Sequence, residues 1–182
     1  MKKQILADGI VYLICMAVAV LLNLLVSALL ETIGMTFGLV EYYQRAWIRV
    51  ASGFFVGCAI LAALIYKECY KSLEFYPSVL IPSIALAGIV QMILAAILSF
   101  NPILAGGVRD LAGIMSFGKG FDSEAMIEKI KLPMCLAAFA IYIACEIGCA
   151  LLFGYLGKKR RAKSRSELIP TVSEETEENP QA

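Results

Sequence analysis

At 182 residues the chain is sized for one domain, and 60% of it is hydrophobic, where soluble domains run at roughly 45–50%. A formal charge of +1 gives no reason to expect a nucleic-acid partner. The absence of histidine excludes Ser-His and Cys-His catalysis, His-ligated zinc and haem on a proximal histidine.

Mean hydropathy is +0.78, and the excess is concentrated in runs. A membrane-spanning helix needs about 20 apolar residues, at ~1.5 Å of rise each across a core of ~30 Å. Residues 10–30 form the first such run, interrupted by Asn23. Lys2 and Lys3 ahead of it fit an uncleaved signal anchor, and Val26-Ser27-Ala28 also fits a cleavage site. Residues 32–46 stay fairly apolar, as an extension of that helix or an interfacial segment with Tyr42, Tyr43 and Trp47 as an aromatic belt.

The second run, 47–66, holds Arg49 near its outer end and the pair Gly53 and Gly57. Glycines at that spacing let helix backbones approach closely in lipid. The third run, 78–100, contains Gln91 and a small-residue stripe of Ser83, Ala87, Ala95 and Ser99. Pro77 and Pro82 suit its start.

The segment 101–131 has Gly106, Gly107, Gly113, Gly118 and Gly120. They predict a flexible or tightly turned first half, followed by a short surface helix capped by Asp122 or Ser123. Gly113–Gly120 imitates a phosphate-binding loop but ends in glycine where a Ser or Thr would hold magnesium. That resemblance is accidental.

The fourth run, 132–156, starts with Pro133 in its first turn and carries Glu146, with Ala140, Ala144 and Gly148 as another small-residue stripe. Lys158, Lys159, Arg160 and Arg161 follow, an orientation signal that can also meet anionic lipid headgroups. From Glu167 the chain is acidic and reads as disordered.

The fold class expected is an all-α integral membrane protein: a four-transmembrane-helix bundle over 1–157, short surface or re-entrant helical segments in the outer loops, and a cytoplasmic tail over 158–182. Lys and Arg divide ten to six between the two sides, with the richer side holding both termini, so both ends are expected in the cytoplasm. Six cysteines, none in C-x-x-C spacing, read as packing residues, and no metal or cofactor is expected.

Glu146 most needs a physical account. An acid mid-span costs ~2.5–3.5 kcal/mol on insertion scales, so it must be neutral, paired or wet. Counted from the span midpoints, Glu146, Gln91 and Asn23 fall within about 8 Å of depth. They form a candidate cluster for a proton or cation, or else neutral packing glue. No paired catalytic acids accompany them, which disfavours an enzyme. The leading functional expectation is a non-enzymatic subunit of a homo-oligomeric or larger membrane assembly, joined to a protein partner through helix contacts at Gly53, Gly57, Ala144 and Gly148. The alternative is a small secondary transporter or channel-like protein using Glu146.

Overall fold

The computed structural model describes residues 2–38, 44–72, 76–97, 102–118, 121, 126 and 129–168. Among these are five helices and no strand: α1 Lys2–Thr36, α2 Gln44–Ser72, α3 Pro77–Ile97, α4 Pro102–Phe117 and α5 Leu132–Leu168. Of these, α1, α2, α3 and α5 are long and apolar enough to cross a membrane.

Local chemistry sets the ends. α1 stops where Gly38 turns left-handed at φ 64°, with Phe37 N donating to Ile33 O at 3.1 Å and Gly38 N to Met35 O at 3.1 Å. The apolar stretch after residue 30 thus extends α1 as far as Thr36, while Tyr42 and Tyr43 lie outside the described residues. α3 opens on Pro77, where a missing N–H costs nothing. Pro82 sits inside the helix, and Ser83 Oγ donates to Val79 O at 2.7 Å. α5 starts one residue before Pro133 and runs without a break through the basic block, so the boundary expected at 158 falls within a helix. Residues 169–182 of the tail lie outside the description.

Around the bundle, α1 packs on α2 and α3, and α5 packs on α2 and α3. Two apolar clusters fill its ends. One joins Tyr12 and Met16 of α1, Leu61 and Ile65 of α2, Leu80 and Ile84 of α3, and Ala150 of α5. The other joins Ala95 of α3, Val108 and Ala112 of α4, and Ala138 and Phe139 of α5. The start of α1 and the basic end of α5 therefore meet at one end of the bundle. Tyr12 and Met16 make α1 part of that core, so removing residues 1–28 would open it.

Outward faces are apolar, as lipid demands of a spanning helix. On α1, Leu21, Leu25 and Leu29 are 61–65% exposed, while Asn23 and Ser27 on the inner side are 8% and 5% exposed. Here the polar side turns in and the apolar side turns out, the reverse of a soluble helix.

The segment after α3 departs from the glycine-based expectation. Instead of a flexible turn, residues 102–117 form α4, which packs on α2, α5 and α1. At ~1.5 Å per residue its 16 residues reach only about 24 Å, too short to span. Its glycines serve close packing: a Cβ at Gly107 would lie 2.9 Å from the Arg49 carbonyl oxygen, and one at Gly113 would collide with the Phe121 ring. Only Gly118, at φ 60°, makes the turn that ends the helix. Asp122 and Ser123, the expected caps of the next helix, lie outside the described residues.

Candidate functional site

The pairing of α2 with α5 organises the polar groups. Gly53 faces Tyr142, Gly57 faces Glu146, and Gly157 backs onto Tyr66. Arg161 Nη1 donates to Tyr70 O at 2.6 Å. The partner's number rises with the α2 number throughout, so the helices run parallel.

On α2, Arg49, Gly53 and Gly57 stand one turn apart on a single face. The absence of side chains at the glycines admits polar groups from α1 and α5. A Cβ at Gly53 would lie 2.9 Å from Tyr142 Oη and 3.3 Å from Asn23 Nδ2. A Cβ at Gly57 would lie 3.4 Å from Glu146 Oε1. Tyr142 stacks on Phe54, with centroids 3.9 Å apart, and its hydroxyl donates to Val50 O at 3.2 Å. α1 adds Asn23, Ser27 and Glu31, again one turn apart.

The seam is closed by ion pairs at the α4 end. Arg49 Nε donates to Asp110 Oδ2 at 2.6 Å, and Nη1 to Glu31 Oε1 at 3.1 Å. One guanidinium thereby joins α1, α2 and α4, in the forked geometry that suits arginine. Burial pushes the Asp110 carboxyl above its ordinary value, against the hydrogen bond and charge of Arg49, which pull it back. Towards the other end, α2 carries Cys58 and α5 carries Cys149, both half-buried free thiols. Beyond them the apolar cluster of Leu61, Ile65 and Ala150 seals the bundle.

Two side chains of this seam carry acceptors for which no donor is seen among the described residues. Asn23 Oδ1 is buried with no hydrogen-bond partner. Glu146 is half-buried, and among the described residues no hydrogen bond or ion pair holds its carboxyl. They sit against Gly53 and Gly57, one turn or about 6 Å apart along α2. Gln91 is half-buried on α3, which packs on α1 and α5. Among the described residues no group of three or more Cys, Asp or Glu side chains is placed to hold a metal ion.

The small-residue positions divide in two. Gly53 and Gly57 are filled from within the chain by Tyr142, Asn23 and Glu146. Ala144 is exposed, and Gly148 is exposed with nothing within 4 Å of where a Cβ would stand. Lys158, Lys159 and Arg160 are exposed on the last turns of α5, with Arg161 partly covered.

The sequence reading missed Tyr142, Ser27 and the partners of Arg49. Their signals were present: Asn23, Ser27 and Glu31 repeat every fourth residue in an otherwise apolar helix, and Arg49 is a lone cation in an apolar run. Comparison with protein-family models, curated proteins and solved structures finds no match for this chain.

Proposed function

We propose that this chain is a small non-enzymatic transport protein of the membrane, which takes up a proton or a monovalent cation at Glu146. One observation carries the reading: the Glu146 carboxyl lies against Gly57, and one turn away the side chain of Asn23, whose Oδ1 is buried without a hydrogen-bond partner among the described residues, lies against Gly53. An acceptor left unpaired in low dielectric costs ~1–3 kcal/mol, so a proton or cation bound there is favoured by the same amount. One carboxylate with amide, hydroxyl and backbone oxygens is a donor set for a hard, singly charged ion. On this reading both termini face the cytoplasm.

The test is an imposed pH or sodium gradient across proteoliposomes containing the full chain. The wild type is expected to dissipate the gradient. Glu146→Gln, which keeps shape and hydrogen bonding but has no acid proton, is expected to fold normally and reduce flux to the protein-free level. Equal flux from both proteins would remove Glu146 from the mechanism.

A second reading, a subunit of a larger or self-associated membrane assembly, is favoured by one feature. The exposed stripe of Ala140, Ala144 and Gly148 on α5 is a surface another helix could approach closely. Ala144→Leu and Gly148→Leu would then dissociate the complex in detergent without unfolding the chain.

A further inference from the structure

Asn23 is 8% exposed, its Oδ1 is buried, and among the described residues no donor reaches that oxygen. The hydroxyls of the same seam have committed their protons elsewhere, Tyr142 Oη to Val50 O at 3.2 Å and Ser27 Oγ to Leu24 O at 3.2 Å. A buried acceptor of this kind takes its donor from a molecule that brings its own protons, and inside proteins that molecule is ordered water.

Room for it lies over Gly57. Among the described residues a Cβ at Gly57 would meet one atom within 4 Å, Glu146 Oε1 at 3.4 Å, whereas at Gly53 it would meet Tyr142 Oη at 2.9 Å and Asn23 Nδ2 at 3.3 Å. The glycines that Asn23 and Glu146 lie against are about 6 Å apart along α2. A water donating to two oxygens at ~2.8 Å each spans about 5.6 Å between them. A bare metal cation, bonded to oxygen at roughly 2.0–2.6 Å, reaches less far. Towards α4 the seam continues in oxygens, those of Tyr142 and Ser27 and then the carboxylates held by Arg49. In the opposite direction come the thiols of Cys58 and Cys149, then apolar Leu61, Ile65 and Ala150.

Resting on ion uptake at Glu146, we infer that Asn23 holds one water molecule over Gly57, and that this water passes Glu146 its proton from the α4 side. The water donates one O–H to Asn23 Oδ1 and the other to the ionised carboxyl. A proton arriving on the water oxygen is balanced by the O–H proton that moves to Glu146, so the water is neutral again and the carboxylate has become the acid. Asn23 is thus a positioning residue, acting through the water. The ion that this arrangement serves is a proton and not a metal cation.

The test follows hydrogen–deuterium exchange of the Glu146 carboxyl by infrared spectroscopy on the full chain in lipid, at a pH where the acid band is present; Glu146→Gln identifies the band by its loss. Asn23→Leu removes the oxygen that holds the water, and Gly57→Ala puts a methyl group where the water stands. Each is expected to slow carboxyl exchange about tenfold or more, with backbone amide exchange and the melting temperature no lower in protection than wild type. Asn23→Ser keeps an oxygen and is expected to recover the rate to within about threefold. Gly148→Ala, with nothing within 4 Å of the new methyl group, is expected to leave it unchanged. Carboxyl exchange as fast in both Asn23→Leu and Gly57→Ala as in the wild type would overturn the inference and leave ion uptake at Glu146 standing. Altered amide exchange in step with the carboxyl would reduce Asn23 to packing and overturn it too, as would wild-type exchange that requires added sodium or potassium. Failure of the underlying reading has a separate signature, equal proton flux through wild type and Glu146→Gln in proteoliposomes.

Discussion

Replacing each seam glycine by alanine should produce a ranking fixed by what the new methyl group meets. At Gly107 the Cβ would stand 2.9 Å from the Arg49 carbonyl oxygen, a backbone atom that cannot rotate aside, and 2.5 Å from Tyr142 Oη. Overpacking of this kind costs ~1–3 kcal/mol, and the better helix propensity of alanine returns only ~1. At Gly53 the obstacles are Tyr142 Oη at 2.9 Å and Asn23 Nδ2 at 3.3 Å, side-chain ends that can yield, so the terms nearly cancel. At Gly57 the nearest atom is Glu146 Oε1 at 3.4 Å, an ordinary contact, and at Gly148 there is nothing within 4 Å. Both should gain up to ~1 kcal/mol. For a chain of this size 1 kcal/mol moves the melting temperature by roughly 2–4 °C. Thermal unfolding in detergent should therefore order the variants Gly107→Ala lowest, Gly53→Ala near wild type, and Gly57→Ala and Gly148→Ala at or above it. A Gly148→Ala variant as damaged as Gly107→Ala would refute the parallel packing of α2 and α5 under α4.

Other expectations follow from the same geometry. Arg49→Met leaves Glu31 and Asp110 facing each other with only the charge of Arg109 still acting on Asp110, and should cost about 3 kcal/mol, measured by thermal unfolding, with much of the loss recovered in Arg49→Met/Asp110→Asn. In a variant keeping only Cys58 and Cys149, copper–phenanthroline oxidation should yield a disulfide-linked α2–α5 peptide pair in mass spectrometry; its absence alongside efficient alkylation of both thiols would contradict the register. Met115→Cys on α4 should be labelled by an impermeant maleimide from the side opposite to Lys158→Cys, since α4 does not cross. Glu146→Leu should leave stability unchanged or raised, because it removes an unpaired acid from an apolar span.

The spans were legible because lipid imposes one strong rule, a continuous apolar run long enough to cross, and residues 10–30, 47–66, 78–100 and 132–156 each obey it. The helices overshoot those windows because polar continuations, such as Lys158–Arg165 within α5, lie beyond the apolar core yet extend the same helix. α4 was misjudged for a definite reason. Glycine signals a turn when read locally, but at Gly107 and Gly113 its missing Cβ serves tertiary contacts with Tyr142 and Phe121, invisible until the fold is known. Depth can be counted from sequence, and Asn23 and Glu146 sit against glycines one turn apart. Facing cannot, and Gln91, at a similar counted depth, belongs to α3, which packs on α1 and α5. The Arg49–Glu31–Asp110 triad spans 18 and 61 residues of sequence separation, a long-range pairing that residue patterns in a single chain do not encode.

Infrared difference spectroscopy on the reconstituted protein tests ion uptake at Glu146 most directly, because it observes the carboxyl itself. Spectra are recorded across a pH series, and with sodium or potassium added at fixed pH. The expected result is a carboxyl band that responds to pH or to one of these cations and vanishes in Glu146→Gln. A band in the wild type that answers to neither pH nor cation, over the range in which the fold persists, would contradict uptake at this site.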